Sequence, residues 1–350
     1  MFRYVYTFSS FQISILTTVQ GSSVADVYLK TPGWRVRGVT RNPSSAAAKE
    51  WEAKGVEIVP GDLNNTESLA EAFQGADAIF GVTDFWTIFK DPASQTKKKA
   101  DQNILQYCFE VERQQGINLA DAAATVPNLS RFVLSSMADA NKWSKGKFNE
   151  LYHMDSKAQA ADYAKSLPAL KSKFSQVQAP IYYNLLWEWG LPTTPKRVNH
   201  AFISLSISSL EGLTCELQQA DGTYRIQGVG PADAPIPFGD VRKDFGYLVK
   251  AAVEGEPDLN IFAVGEELSW NQYLKTWCES QNVPFGGYDE VAYDDFTVIL
   301  PGGLGHEFGQ NVLFAIEFGY DGSDPSVTRP DAVSCTPVSF PPLINETNTS

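Results

Sequence analysis

The side chains best suited to chemistry lie in one stretch, ELYHMDSKAQAADYAKS, whose alanine, lysine and glutamate content predicts a helix. His153 and Lys157 are four residues apart and therefore share one helical face, whereas Tyr152 is turned by about 100° from His153. An imidazole titrates near neutral pH and can donate a proton. This face is therefore a candidate for proton transfer. The alternative interpretation is a helix that packs its aromatic edge beside a sheet.

Strands and helices alternate in the half of the chain that leads up to this stretch. The helices begin at serine or threonine caps and end at Gly55 and Gly75, and a longer helix is predicted over roughly 95–126. Alternation at this spacing is typical of right-handed βαβ units, so the sequence predicts an α/β fold with a doubly wound parallel sheet. The predicted strands are WRVRGVT (34–40), VEIVPGD (56–62), AIFGVT (78–83) and RFVLSS (131–136).

Residues at the carboxyl ends of these strands or directly after them are the candidate ligand-binding residues, because ligands of doubly wound sheets bind there. The turn at 17–21 precedes a helix whose N–H groups would face a pyrophosphate. An arginine suits a ribose 2′-phosphate, so Arg41 favours NADP(H) over NAD(H), the alternative being a surface arginine at a strand end. Asp62 and Leu63 would flank the adenine. The full set is Thr17, Gln20, Gly21, Arg41, Asp62, Leu63, Val82, Thr83, Ser135 and Ser136.

Composition argues against several other classes of function. The formal net charge of −13 and the pI of about 4.8 disfavour direct binding to nucleic acid, which needs clustered basic residues. The four cysteines lack C-x-x-C spacing and the histidines lack metal-ligand spacing, so no metal site is predicted. No apolar run reaches the roughly 18 residues of a membrane span, and the N-terminus makes a poor signal peptide. We therefore expect a cytoplasmic and/or nuclear protein.

Several phrases together resemble the NmrA-like family of atypical short-chain dehydrogenases/reductases, which is related to the isoflavone reductases. The resemblance runs from Gln20 to about Thr328. It implies a Rossmann-like NAD(P)-binding domain over 1–180 and a smaller carboxyl-terminal α/β lobe over 181–333, from which about 240–265 return to the first domain. Independently of the resemblance, the segment 334–350 is rich in proline, serine, threonine and asparagine and poor in apolar residues, which predicts a disordered tail. The matching phrases are QGSSVADVYL, VRGVTRNPSS, GVEIVPGDLNN, GVTDFW, QQGINLADAA, RFVLSSM, YHMDSKAQAADY and PGGLGHEFGQNVLFAIEFGYDGSDPSV.

The resemblance implies two possible functions. In short-chain reductases a Tyr-x-x-x-Lys pair works with a serine at the end of the fifth strand, and the lysine anchors the nicotinamide ribose and lowers the tyrosine pKa. Lys157 takes the lysine place, Ser135 or Ser136 lies near the serine place, and His153 takes the tyrosine place. A His-x-x-x-Lys helix is common in NmrA regulators, which sense the dinucleotide without turnover and bind transcription factors. His153 therefore favours a redox or nitrogen-status sensor, with an NADPH-dependent reductase of a small carbonyl or enone as the alternative.

The resemblance also implies that residues after the sixth strand close over the nicotinamide. Pro180, Tyr182 and Asn184 fall where relatives line the cleft. The alternative interpretation of the many aromatic residues in this segment is ordinary core packing.

The family's first turn reads G-A-T-G-x-Q-G, and this chain has Ile15 and Thr18 at the first two glycine places. The first glycine permits a tight turn and the second lets the backbone approach the pyrophosphate. A β-branched residue with a positive φ would in addition be strained. We therefore expect impaired phosphate binding at this turn. We interpret residues 1–19 as the product of a mispredicted exon boundary, the alternative being a protein that binds the dinucleotide weakly.

Overall fold

The computed structural model describes residues 9–183 and 221–333. The chain divides into two compact units. Among the described residues, the first unit comprises those up to Pro180, the segment Asp240–Ala263 and residues 323–333. The second comprises those in Ile181–Gly239 and Val264–Gly322. Asn184 and the predicted tail over 334–350 lie outside the described residues.

A parallel sheet of eight strands forms the centre of the first unit within the described residues. Its strands in chain order are β1 (Ser9–Ile13), β2 (Trp34–Thr40), β3 (Glu57–Pro60), β4 (Ala78–Gly81), β5 (Arg131–Ser136), β6 (Phe174–Gln178), β7 (Asn260–Phe262) and β8 (Val327–Thr328). Their order across the sheet is β8-β7-β6-β5-β4-β1-β2-β3, so the direction of winding reverses between β1 and β4. This arrangement confirms the predicted doubly wound α/β fold.

Nine helices in the described part of the first unit flank this sheet or connect its strands. They are α1 (Val19–Tyr28), α2 (Ala46–Ala53), α3 (Thr66–Ala72), α4 (Phe85–Lys90), α5 (Pro92–Lys97), α6 (Ile104–Ala124), α7 (Ala140–Trp143), α8 (Tyr152–Ser166) and α9 (Val241–Glu254). The side chain of Asp240 caps α9 by accepting the N–H of Lys243.

Apolar side chains cover both faces of the sheet. On one face Phe11 of β1 stacks on Tyr28 of α1, with ring centroids 3.7 Å apart, and Phe80 of β4 meets Phe245 of α9. Ile79 is adjacent to Phe80 and therefore points to the other face. There it joins a buried cluster with residues of α3, α6 and α8. The two faces together hold the ends of the strands in fixed positions.

The single helix predicted over roughly 95–126 is wrong in its first part. Two helices, α5 and α6, occupy this region, and residues 98–103 separate them. The side chain of Asn103 accepts the N–H of Gln106 and begins α6, while the ammonium of Lys98 donates to the carbonyl of Gln102 at 3.0 Å. Polar side chains that bond the local backbone compete with helix continuation, which explains the break.

The second unit contains two small sheets among its described residues. Strand Ile236–Gly239 lies between Ile181–Tyr182 and Glu266–Leu268, and Tyr224–Gly228 pairs in parallel with Phe285–Glu290. Its helices are Trp270–Gln281, Tyr293–Ile299 and Leu304–Phe318. None of the described helices in either unit is both long enough and apolar enough to cross a membrane.

Candidate dinucleotide site

The turn between β1 and α1 is closed by the side chain of Thr18. Its hydroxyl accepts a hydrogen bond from the backbone N–H of Gly21 at 2.9 Å and donates one to the carbonyl of Ile15 at 3.1 Å. Thr18 is thereby the N-cap of α1. Helix N-termini bind anions through backbone N–H groups that have no partner within the helix. The Thr18 hydroxyl therefore occupies a donor that a phosphate would otherwise use.

Backbone geometry in this turn is ordinary. Thr18 has φ of −72°, and Ile15 is not among the described residues other than glycine that have a positive φ. The expectation of a strained β-branched residue is therefore wrong, because the turn closes through an extended N-cap. A Cβ atom on Gly21 would lie 2.1 Å from the carbonyl oxygen of Ile15, so packing alone requires this glycine. Thr17 is exposed and Gln20 is buried.

Ser14 connects the two strands at which the winding of the sheet reverses. Its hydroxyl donates to the carbonyl of Val82 at 3.0 Å and accepts from the N–H of Val82 at 2.8 Å. Val82 and Thr83 follow β4, and both are buried. The turn after β1 and the residues after β4 are therefore held side by side, at the position where ligands of doubly wound sheets bind.

Polar residues of α6 hold the loops that follow β3. The amide of Asn118 donates to the carbonyl of Leu63 at 2.8 Å, and the amide of Gln115 donates to the side-chain oxygen of Asn64 at 3.1 Å. The carboxylate of Asp62 accepts the backbone N–H of Asn64 at 2.9 Å. The loop proposed to flank the adenine is thus fixed from inside the protein.

Glu112 of α6 lies at the centre of a buried polar cluster and is fully buried. Its Oε1 accepts hydrogen bonds from the hydroxyl of Thr83 at 2.9 Å and from the ammonium of Lys157, and its Oε2 accepts one from the hydroxyl of Ser156. The Lys157 side chain is 11% exposed and its Nζ lies 3.4 Å from Thr83 Oγ1. Buried charges require such pairing, so Glu112 compensates the charge of Lys157.

Close packing of α6 on α8 brings this cluster together. A Cβ atom on Gly116 would lie 2.4 Å from the Cβ of Ala160. Glu112 and Ser156 each lie four residues, about one turn, before these contact residues. The absence of a side chain at Gly116 therefore lets the two helices approach until the carboxylate reaches α8.

Aromatic rings enclose His153. Its ring centroid lies 5.3 Å from that of Trp86 and 6.2 Å from that of Phe85, and the residue is 7% exposed. Tyr152 is the first residue of α8 and its ring lies 6.0 Å from that of Phe109. The structure therefore places an imidazole, and not a phenol, on the same helical face as Lys157.

Ser135 and Ser136 end the central strand β5, and both are buried. Neither hydroxyl has a hydrogen-bond partner among the described residues. A buried hydroxyl without a partner is costly, and such groups in native structures are often satisfied by a ligand or a water molecule. Neighbouring residues of a strand point to opposite faces of the sheet, so a single ligand at this end of β5 would satisfy one of these two hydroxyls.

The remaining candidates are spread more widely. Arg41 is exposed after β2, with no hydrogen bond or ion pair to any described residue. Pro180 is buried after β6, and Tyr182 lies in the second unit, where it pairs with Gly239. No group of three or more histidine, cysteine or acidic residues in the described ranges could hold a metal ion.

The sequence of this chain matches the profile of a known protein family. The profile of the NmrA-like family matches residues 16–333. The chain belongs to the NmrA-like family. This confirms the resemblance found in the sequence, and the match begins a few residues before the Gln20 at which that resemblance starts.

Curated relatives of this NmrA-like protein include several named oxidoreductases. The NmrA-like family domain-containing oxidoreductase ptmS of Penicillium ochrochloron is 28% identical over 234 residues, which are 66% of this chain and 59% of the relative. An NmrA-like family domain-containing protein of Dictyostelium discoideum is 28% identical over 190 residues, 53% of this chain and 56% of the relative. The aligned part thus spans less than two thirds of these relatives' own length.

Solved structures share the fold. The crystal structure of NmrA, a negative transcriptional regulator, has a TM-score of 0.62 at 20% identity and covers 90% of this chain and 85% of its own. The NADPH-dependent quinone oxidoreductase QOR2 of Escherichia coli, complexed with NADPH, has a TM-score of 0.60 at 14% identity, covering 89% and 92%. NmrA has also been solved in complexes with NAD and with NADP. Two of the neighbours with a similar fold therefore bind a pyridine dinucleotide.

The side chains described here fit such a dinucleotide in part. Suitable donors are the hydroxyl of Ser135 or Ser136, neither of which has a partner among the described residues, the ammonium of Lys157 and the exposed guanidinium of Arg41. The N–H of Gly21 is not available, because Thr18 accepts it.

Sequence reasoning missed Glu112 and Ser14. Glu112 belongs to a row of residues at four-residue spacing, Cys108, Glu112, Gly116 and Ala120, that is otherwise small or apolar. An acidic residue in such a row would have been the available signal, because carboxylates are rarely buried unless they are paired.

Proposed function

We propose that this protein binds NAD(P)(H) at the carboxyl edge of its parallel sheet and senses it without turnover, as a redox or nitrogen-status sensor that regulates transcription through protein partners. The observation that supports this most directly is His153, which takes the place of the proton-donating tyrosine and is enclosed by Phe85 and Trp86. The similar fold of NmrA, a negative transcriptional regulator, agrees with this proposal.

His153 bears on the choice between a sensor and a reductase because carbonyl reduction requires a proton donor. A reductase needs a proton donor whose acidity is raised by a neighbouring cation, so that the proton arrives as hydride reaches the carbonyl. Here the neighbouring ammonium of Lys157 is paired with Glu112, and the ring four residues before it is an imidazole. The pairing removes the free cation that would raise the acidity of the donor. The imidazole can still donate a proton, so proton transfer to a carbonyl oxygen is weakened and not abolished.

Cofactor choice and location are further parts of this proposal. We infer a preference for NADP(H) over NAD(H) from Arg41, which is exposed after β2 and has no acidic residue directly beside it. A transcription factor is the proposed protein partner, with the cytoplasm and/or the nucleus as the location. Direct binding to nucleic acid is not proposed, because the net charge is −13.

A reductase of a small carbonyl or enone is the second candidate. It is supported by the relatives named as oxidoreductases and by the buried hydroxyl of Ser135, which has no partner in the described part of the chain and lies near the place of the catalytic serine. In this case Ser135, His153 and Lys157 would be the catalytic residues.

One pair of measurements separates the two candidates. Calorimetry with NADPH, NADP⁺ and NADH would establish binding, and NADPH oxidation would then be followed against a panel of carbonyls and enones. A sensor binds the dinucleotide and shows no substrate-dependent loss of NADPH absorbance. A reductase shows such a loss, and it falls sharply in Lys157→Ala. Affinity capture with and without NADPH then tests for a partner whose binding depends on the dinucleotide.

A further inference from the structure

Glu112 is bonded to two parts of the candidate site at once. Its carboxylate accepts from Thr83, which follows β4, and from Ser156 and Lys157 of α8. Both oxygens are used and the residue is fully buried. The ammonium of Lys157 therefore reaches the carboxyl edge of the sheet as one half of a neutral pair.

We propose that Glu112 is a positioning residue for Lys157 that, by neutralising its charge, lowers the affinity of the site for an anionic dinucleotide. This inference rests on the proposed binding of NAD(P)(H). In a poorly hydrated site a single unpaired charge acts over many ångströms, because the effective dielectric constant is well below that of water. The ammonium still donates hydrogen bonds, but its attraction for phosphates is cancelled by the adjacent carboxylate.

The proposal ranks the affinities of the wild type and three variants by the formal charge of the pair. The wild-type pair is neutral, Glu112→Gln leaves one positive charge, Lys157→Met leaves one negative charge, and the double variant is neutral again. Glutamine keeps an acceptor and gains a donor, so the hydroxyls of Thr83 and Ser156 retain partners. A Glu112 that served only to hold α6 on α8 would predict a different order, with the double variant no better than either single one.

The test measures the affinity of the full chain for NADPH and NADH by calorimetry. We expect Glu112→Gln to bind both nucleotides about tenfold more tightly, because the charge of Lys157 is then no longer compensated by a carboxylate. Its affinity should also depend more steeply on salt concentration. Lys157→Met should bind about tenfold more weakly, and the double variant should bind more tightly than Lys157→Met. Glu110→Gln is the matched control, because Glu110 is exposed on the same helix and carries the same charge.

Three outcomes would overturn the inference. One is a folded Glu112→Gln variant whose affinity equals that of Glu110→Gln. Another is a double variant that binds no better than Lys157→Met, which remains decisive if Glu112→Gln alone fails to fold. If the wild type binds neither nucleotide, the proposed function fails, and thermal denaturation decides the pairing by itself. Each single variant should then melt lower and the double variant should recover part of the loss, whereas additive losses refute the pairing.

Discussion

Replacing Thr18 by glycine should open the turn between β1 and α1 to phosphate. The Thr18 hydroxyl accepts the N–H of Gly21 and donates to the carbonyl of Ile15. Both bonds are lost in Thr18→Gly, and the Cβ atom and methyl group that stand beside the helix start are lost with them. Glycine remains a good N-cap, so the change should cost the helix only about a few tenths of a kcal/mol.

The expected gain in affinity follows from one donor. A hydrogen bond from a backbone N–H to a charged group contributes roughly 1.5–3 kcal/mol. Since about 1.4 kcal/mol corresponds to a factor of ten, releasing the N–H of Gly21 should tighten NADPH binding roughly 10- to 100-fold. NADH should gain by the same factor, because both nucleotides carry the same pyrophosphate.

The assay is calorimetric titration of wild type, Thr18→Gly, Thr18→Ala and Thr18→Ser with both nucleotides. Serine keeps the capping hydroxyl and should bind like wild type, while alanine removes the hydroxyl and keeps the Cβ atom, so it separates the lost bond from the lost volume. A folded Thr18→Gly protein that binds no more tightly than Thr18→Ser would refute the reasoning. So would a wild-type Kd for NADPH in the low micromolar range or tighter.

Three further substitutions test separate features of the structure. Arg41→Ala should weaken NADPH binding roughly 10- to 100-fold and leave NADH unchanged, measured by calorimetry, because only NADPH carries the 2′-phosphate; equal losses would contradict that role. Gln12 is fully buried and neither polar atom of its amide has a partner among the described residues, so Gln12→Leu should raise stability by about 1–3 kcal/mol in thermal or urea denaturation, and a loss would mean that the amide is paired. Burial raises the pKa of Asp244 from 3.8 to about 6, so ionising its carboxyl group opposes folding increasingly as the pH rises through this range. In the same measurement, Asp244→Asn should stabilise the protein at pH 7 by about 1 kcal/mol after allowance for partial exposure, and the gain should vanish at about pH 3, below both pKa values.

The elements that could be predicted from the sequence are those with strong local signals. Strand β2 is predicted over the same residues as observed, and β5 likewise, because each is a short apolar or β-branched run between turn residues. The helix over 95–126 was predicted as continuous because its composition is helical throughout. Its interruption depends on Asn103 bonding the backbone of Gln106, which composition alone does not distinguish from an ordinary helical position.

Some residues of the candidate site could likewise be predicted from the sequence, and others could not. Residues that directly follow strands, such as Arg41 and Thr83, could be named from the strand pattern because topology fixes their position at one edge of the sheet. Glu112 could not, because it is paired with Lys157 across 45 residues of sequence through the close approach of two helices. The orientation of the Thr18 side chain could not be predicted from the sequence either. The sequence shows only that threonine stands at a glycine place of the family, whereas the structure shows that its hydroxyl caps α1.

Two groups that would bind a dinucleotide are already satisfied within the protein. The N–H of Gly21 is bonded to Thr18, and the ammonium of Lys157 is bonded to Glu112. A ligand that uses these groups must therefore exchange bonds instead of adding them, and the net gain of an exchanged hydrogen bond is small. Ser135, whose hydroxyl has no partner among the described residues, would contribute a bond to a ligand without such an exchange. Affinity limited in this way suits a protein whose occupancy changes with dinucleotide concentration, since a site that is always saturated reports nothing.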